Sequence, residues 1–154
     1  MAASFPLRRG GPADAPAIAA LVESAYDKWV PVIGRPPLPM LVDYGKAVVE
    51  HRIDLLEIDG QLAGLVELET EPDCLVVVNL AVAPGFQMRG LGSLLLAHAD
   101  QVARQSGLGR IRLFTNSLMT SNIALYGRRG YTKDRVEQRS PGWAVVHMSK
   151  RVSG

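Results

Sequence analysis

The stretch that decides the fold reads LVVVNLAV at residues 75–82, APGF at residues 83–86 and QMRGLG at residues 87–92. Its first part is apolar and β-branched, which predicts a buried strand. A turn follows, and two glycines lead into leucines at helical spacing, which predicts a glycine-bearing loop that opens a helix. Backbone N–H groups at such a helix start lie at the positive end of the helix dipole. The stretch therefore predicts a cradle for phosphate or pyrophosphate.

Hydrophobic spacing on either side of this cradle predicts further helices and strands. Asp14 is predicted to cap the first helix, and Asp59-Gly60 is predicted to form a type I′ hairpin turn. The predicted elements are a strand over residues 5–9, helices over 15–29 and 40–51, strands over 53–58, 62–69 and 75–82, a helix over 91–106, a strand over 110–115, a helix over 120–129, and strands over 131–136 and 143–148.

The predicted fold is α/β, with the element order β-α-α-β-β-β-α-β-α-β-β. The three strands before the glycine loop are joined by short turns, so they are predicted to form an antiparallel meander. A helix then links the strand over residues 75–82 to the strand over 110–115, which predicts that these two are parallel. The expectation is a mixed sheet with helices on both faces.

Size and composition restrict the class of protein. The chain has 154 residues, which suits a single domain over 1–154, and its net charge is only +2. No apolar run approaches the roughly 18 residues that a membrane helix needs. The lone cysteine, Cys74, excludes an internal disulfide framework and is interpreted as a structural thiol. A cytoplasmic protein without a membrane partner is the simplest interpretation.

Two other classes of ligand fit the sequence poorly. Late arginines could form a basic patch, but no aromatic residues are interleaved with them, so no nucleic-acid partner is predicted. They are Arg128, Arg129, Arg135 and Arg139. The three histidines show no metal-ligand spacing, so no metal site is predicted. They are His51, His98 and His147.

The loop sequence QMRGLG resembles the acetyl-coenzyme A signature of the GNAT N-acetyltransferase superfamily, written R/Q-x-x-G-x-G/A. A second stretch, NIALYGRRGY at residues 122–131, is similar to that family's later signature, an Asn, a Leu-Tyr pair and then Gly-Phe or Gly-Tyr. One short glycine motif recurs by chance, but two motifs on the expected elements are specific. The resemblance implies the GNAT fold and acetyl-CoA (coenzyme A) as the cofactor.

The resemblance also implies which residues hold the cofactor. Backbone N–H groups of the loop would surround the pyrophosphate, and the glycines would be needed because a Cβ would block close approach. Leu80 and Val82 would offer backbone groups to the pantetheine arm. Asn122 would form a hydrogen bond with the cofactor. The loop residues are Gln87, Met88, Arg89, Gly90, Leu91 and Gly92. Arg89 either pairs with a phosphate or forms a surface ion pair.

The catalytic candidates follow from what acyl transfer to an amine needs. The Val82 N–H is the candidate for polarising the thioester carbonyl. Tyr126 is the candidate general acid and a further cofactor contact, because a tyrosine pKa near 10 lies close to that of a leaving thiol. Some family members carry a base on the fourth strand, where this chain has Val76. Glu67 and Glu69 are alternative bases on the neighbouring strand; they equally suit the solvent face of a sheet.

The acceptor of the acyl group is predicted from the connection between the first two helices. Its proline content predicts stiffness, and its aromatic and charged residues suit a small zwitterionic or amine-bearing molecule. Those residues are Tyr26, Trp29, Arg35, Asp43 and Tyr44. An equally good interpretation makes the aromatics part of the core. The sequence leaves open a protein or peptide acceptor, a non-catalytic acyl-CoA sensor and a homodimer.

Overall fold

The computed structural model describes residues 6–152, so Phe5, predicted to begin the first strand, lies outside the described residues. This part of the chain contains seven strands, together with four α-helices that each have at least seven residues. The strands are β1 (Leu7–Arg9), β2 (Arg52–Ile58), β3 (Gln61–Thr70), β4 (Leu75–Val82), β5 (Arg110–Asn116), β6 (Thr132–Ser140) and β7 (Trp143–Arg151). The helices are α1 (Ala15–Tyr26), α2 (Tyr44–Glu50), α3 (Leu91–Gln105) and α4 (Thr120–Arg128). The predicted element order is confirmed.

The strands form one mixed sheet in the order β1-β2-β3-β4-β5-β7-β6. Strands β4 and β5 pair in parallel, with Leu75 opposite Ile111, as the helical crossover predicts. The pairs β1–β2, β5–β7 and β6–β7 are antiparallel. Strand β7 lies between β5 and β6, which is a placement that the linear spacing of strands did not reveal.

The chain divides into two compact units. The first contains the described residues up to Glu67 together with Asn79–Leu95, and the second contains Leu68–Val78 and the described residues from Leu96 onward. In the first unit the buried apolar residues include Ile18, Val22, Ile53, Leu55, Leu56 and Leu65. In the second they include Leu96, Ala99, Ile111, Leu113, Val146 and Met148. The prediction of a single domain stays a prediction.

Several helix boundaries differ from the predicted ones. Helix α1 ends at Tyr26, and the chain continues through a 3₁₀ turn and one α-helical turn, Val30–Ile33, before Gly34 closes it at φ 86°. Proline is tolerated in the first turn of a helix, so a proline-rich segment can hold short helical turns. Asp14 does precede α1, but its carboxylate accepts from the Gly11 N–H at 2.8 Å and from Arg8 instead of capping α1.

The predicted type I′ turn is confirmed. Asp59 and Gly60 both have positive φ, 52° and 77°, as a type I′ turn requires. Gly107 follows α3 at φ 71°, which is the left-handed conformation of a helix C-cap. Within residues 6–152, no helix is both long enough and apolar enough to cross a membrane.

Candidate functional site

The glycine loop has the backbone geometry of an anion cradle. Met88 and Gly90 adopt left-handed conformations, with φ 66° and 76°. The Gly90 carbonyl accepts the first hydrogen bond of α3, from the Leu94 N–H at 3.1 Å. The N–H groups of Leu91, Gly92 and Ser93 therefore lie in the first turn of a 15-residue helix, where no intrahelical acceptor exists for them. Donors in this position favour a phosphate group.

The conformation of Gly90 gives a further reason for glycine, beside the predicted close approach of a ligand. A Cβ built on Gly90 would have no atom within 4 Å, so close packing by the protein does not demand glycine. The positive φ does, because a side chain in this conformation is strained. The open space beside Gly90 is consistent with a ligand that approaches the backbone there. Gly92 lies within the first turn of α3 and is half-buried.

The remaining loop residues have distinct environments. The Gln87 amide donates to the Val82 carbonyl at 3.0 Å and accepts from Lys28 at 3.0 Å, while the Gln87 N–H donates to the Pro84 carbonyl at 3.4 Å. Gln87 thus fastens the loop to the end of β4 through its side chain, and its own N–H is already used within the protein. Arg89 places its guanidinium 5.3 Å from the centre of the Phe86 ring.

The end of β4 carries the two residues predicted to contact the pantetheine arm. Leu80 and Val82 are half-buried. The Leu80 carbonyl lies 3.1 Å from the Tyr26 hydroxyl, and the Val82 carbonyl is held by Gln87. The next residue, Ala83, donates its N–H to the Ala63 carbonyl of β3 at 2.8 Å. The backbone at this strand end is therefore fixed by neighbours on two elements and on the loop.

A buried polar network lies beside this strand end. Tyr26 donates to the Asn79 side-chain oxygen at 2.7 Å, and the Asn79 amide donates to the Tyr44 hydroxyl at 3.2 Å. Tyr44 in turn donates to the Pro39 carbonyl at 2.6 Å. Burial raises the pKa of Tyr44, and the charge of Glu67 raises it further. Two predicted acceptor residues, Tyr26 and Tyr44, are thus brought together by an asparagine that sequence reasoning had not assigned.

The two predicted bases have different environments. Glu67 is only 3 % exposed and lies 2.7 Å from the Nδ1 of His51, whereas Glu69 is exposed. Val76, the position at which the resemblance would place a base on β4, is buried. Sequence reasoning missed His51 because it considered histidines only as metal ligands. The available signal was the position of His51 directly after α2, a helix whose apolar face packs against the sheet in the same unit.

The other three predicted acceptor residues have different surroundings. Asp43 caps α2, its carboxylate accepting from the Gly45 and Lys46 N–H groups at 3.0 and 3.4 Å. Both capping hydrogen bonds end on Oδ1 of Asp43, so the predicted contact of this carboxylate with the acceptor stays a prediction. Trp29 is half-buried, and the Lys28 ammonium lies 5.5 Å from the centre of its ring. Arg35 is exposed.

The second signature forms part of α4, in the second unit. Asn122 lies half-buried in the first turn of this helix. Tyr126 is 6 % exposed, and its ring meets that of Tyr131 edge-on at 6.0 Å. Burial raises the pKa of Tyr126 to about 12. The expected match between the tyrosine and a leaving thiol is therefore looser than the ordinary value suggests, and Tyr126 stays protonated across the physiological range.

One group of side chains in the described part of the chain has metal-like spacing. Glu71, Asp73 and Cys74 bring ligand atoms within 4.8 Å of one another. The Glu71 carboxylate, however, accepts from Arg112 at 2.6 and 3.2 Å, so a cation would have to displace an arginine. Burial raises the pKa of the Cys74 thiol, which disfavours the thiolate that binds metals. This arrangement agrees with the interpretation of Cys74 as a structural thiol.

A sequence profile of the acetyltransferase (GNAT) family matches residues 18–131. The chain belongs to this family. The match includes the glycine loop and extends to the end of the second signature, so both motifs are covered. A GNAT-family protein from Desulfovibrio desulfuricans shares the fold, with a TM-score of 0.80 and 22% identity over 97% of this chain and 100% of that chain.

Two further similarities concern amino-acid acetylation. The amino-acid acetyltransferase of Neisseria meningitidis is 33% identical over 130 residues, which cover 81% of this chain and 27% of that protein. The chain therefore spans about a quarter of this relative. N-acetylglutamate synthase from Neisseria gonorrhoeae, solved with coenzyme A and N-acetyl-glutamate, is 25% identical with a TM-score of 0.73, covering 100% of this chain and 36% of that one.

Proposed function

We propose that this GNAT protein is an acetyl-CoA-dependent N-acetyltransferase that acts on the primary amine of a small molecule by direct attack in a ternary complex. The observation that carries the proposal is the loop geometry: left-handed Met88 and Gly90 precede a helix whose first-turn N–H groups have no intrahelical acceptor. Pyrophosphate is a ligand suited to such a cradle. Acetyl-CoA, when bound, supplies the acetyl thioester.

The chain's residues are assigned roles by this proposal. The loop N–H groups from Met88 to Gly92 hold the pyrophosphate, and Gln87 fixes the loop to β4 through its side chain. The Val82 N–H stabilises the negative charge that develops on the carbonyl oxygen; one such donor is typically worth about 100-fold or more in rate. Asn122 and Tyr126 keep the roles that the second signature implies, as a hydrogen-bonding residue and as the proton donor to the departing sulfur.

The acceptor is proposed to be an amino acid or another small amine. Support comes from the two relatives whose names specify amino-acid acetylation. The Tyr26–Asn79–Tyr44 network adds support, since its hydrogen bonds fix two of the predicted acceptor residues beside the end of β4. Asp43, which caps α2 through Oδ1, is the candidate anion for the amine of the acceptor. Arg35 remains the candidate for a carboxylate of the acceptor.

The proposal is tested in two stages. Acetyl-CoA binds the folded protein, so at 100 times its Kd it should stabilise the protein by about 2.7 kcal/mol and raise its melting temperature. Free thiol released from acetyl-CoA is then measured with a panel of amino acids and small amines. Release that depends on one class of amine supports an enzyme. Stabilisation without release, for every amine and for peptides with free N-termini, would indicate an acyl-CoA sensor instead.

A further inference from the structure

Glu67 and His51 form a pair that links the interior of the first unit to solvent. The Glu67 side chain is 3% exposed, the His51 side chain is 24% exposed, and Nδ1 of His51 lies 2.7 Å from a carboxylate oxygen of Glu67. A buried carboxylate is strongly unfavourable without a hydrogen-bonding partner. The pair therefore joins a buried proton-accepting group to a proton carrier that reaches the surface.

The position of this pair relates it to the end of β4. Strand β3, which carries Glu67, lies next to β4 in the sheet, and the Ala63 carbonyl of β3 accepts from the Ala83 N–H just past the end of β4 at 2.8 Å. Burial raises the pKa of Tyr44, and the charge of Glu67 raises it further. Tyr44 accepts from Asn79, and Asn79 immediately precedes Leu80, whose carbonyl is 3.1 Å from the Tyr26 hydroxyl. The carboxylate thus adjoins the polar network beside the strand end to which the proposed function assigns the thioester.

We propose that Glu67 accepts a proton from the acceptor amine, and that His51 is a positioning residue that holds Glu67 and passes this proton to solvent. The inference rests on the proposed acetyl transfer and adds a proton route to it. A histidine suits this task because it exchanges protons readily near neutral pH. A lone buried carboxylate would have to release each proton into an apolar interior.

Acetyl transfer from the thioester to a primary ammonium releases one proton overall. A primary ammonium loses one proton to Glu67, and the nitrogen lone pair then forms the C–N bond while the C–S bond breaks. The nitrogen loses a second proton as the amide forms, and the departing sulfur gains one from Tyr126. Of the two protons that leave nitrogen, one makes good the proton that Tyr126 gives up, and the other leaves through His51. The overall products are the acetamide, the free thiol and one proton.

The test compares this pair with a second histidine–glutamate pair in the same chain. His147 on β7 hydrogen-bonds Glu137 on β6, in the other unit, so His147→Ala is the matched control. Thiol release by the wild type, His51→Ala, Glu67→Gln and His147→Ala is measured with the best amine of the panel, and again with water as the sole acceptor. Acetyl-CoA affinity is measured for each variant by calorimetry.

Glu67→Gln is expected to lower kcat by roughly 100-fold or more, and His51→Ala by about 10-fold or more. Acetyl-CoA affinity should stay within about twofold of wild type, because general acid–base groups act on the chemical step. Added imidazole should restore the rate of His51→Ala in proportion to its concentration and leave His147→Ala unchanged. Rescue of this kind reports proton transfer, since a purely structural loss would not respond to a small base.

Three results would overturn the proton route: an unchanged kcat in His51→Ala, a loss that imidazole does not relieve, or an equal loss in His147→Ala. These variant results are read only when the wild-type protein releases thiol, so the proposed function would stand in each case. If the wild type releases no thiol with any amine or with water, the proposed function fails and the proton route falls with it.

Discussion

Two glycines at opposite ends of α3 allow the anion cradle to be tested with an internal control. Gly90 precedes the helix at φ 76° and Gly107 follows it at φ 71°, and a Cβ at either position would have no atom within 4 Å. Asn and Asp tolerate this conformation better than other residues do. Gly90→Asn and Gly90→Asp therefore differ mainly by one negative charge, and Gly107→Asp places the same charge at the other end of the helix.

The expected loss of acetyl-CoA affinity follows from the repulsion between the new carboxylate and the pyrophosphate. Two unit charges 4 Å apart interact by about 1 kcal/mol in water and by about 4 kcal/mol near a protein surface. A carboxylate at Gly90 should therefore weaken acetyl-CoA binding about 10-fold or more relative to Gly90→Asn, since 1.4 kcal/mol is a factor of ten. Gly107→Asp should leave the affinity unchanged, although an acidic residue at a helix C-terminus lowers stability by about 0.3–1 kcal/mol.

Isothermal titration calorimetry with acetyl-CoA measures these affinities, and thermal unfolding without ligand shows that each variant is folded. The charge effect should shrink as salt is added, because exposed charges are screened. Equal affinities for Gly90→Asp and Gly90→Asn would refute the argument that the α3 N-terminus holds the pyrophosphate. A loss of the same size in Gly107→Asp would show that the effect arises from stability.

Tyr126→Phe should lower kcat more than 10-fold with little change in acetyl-CoA affinity, because general acid catalysis contributes roughly 100-fold or more; an unchanged kcat would remove the acid role. Since burial raises the pKa of Tyr126 from 10.0 to about 12, its contribution to stability is complete below pH 10 and is lost as pH rises to about 12. Alkaline unfolding of the wild type and of Tyr126→Phe, compared by circular dichroism, should differ only in that interval. Asn79→Leu should destabilise the protein by about 1–3 kcal/mol, because two buried tyrosine hydroxyls each lose one hydrogen bond. Replacing both tyrosines by Phe in the same variant should recover part of the loss in urea unfolding; no recovery would contradict the network. Asp14→Asn should remove a stabilising contribution that the wild type loses as pH falls from 3.8 to about 2, because hydrogen bonds from Arg8 and the Gly11 N–H lower the pKa of Asp14. Acid titrations of stability that coincide for the two proteins would count against it.

Local patterns in the sequence were enough to predict most of the fold. The apolar run of β4, the Asp59-Gly60 turn and the leucine spacing of α3 depend on neighbouring residues, and the structure has each of them as predicted. The position of β7 between β5 and β6 depends on pairing between distant residues, which leaves no local signal. The short helical turns between α1 and α2 were not predicted, because the proline content of this segment indicated only stiffness, although proline is well placed in the first turn of a helix.

In the candidate site, too, local sequence patterns predicted some features, and others depend on residues far apart in the chain. The glycine loop was predictable because its function resides in consecutive backbone groups. The Glu67–His51 pair was not, since its members are 16 residues apart and meet only when α2 ends against the sheet. Asn79 was assigned no role from the sequence. Its polar side chain in an otherwise apolar strand was a signal of a buried hydrogen-bond network, which needs a polar anchor in the core.

Mass spectrometry of the products tests the proposed acetyl transfer to a small amine. The protein is incubated with acetyl-CoA carrying an isotopically labelled acetyl group, together with a panel of amino acids and small amines. Acetyl transfer predicts that label appears as an amide on one class of amine, in amounts equal to the free thiol formed, and that Gly90→Asp reduces both together. Intact acetyl-CoA and unlabelled amines throughout, from protein that binds acetyl-CoA, would contradict the assignment as an N-acetyltransferase of small molecules.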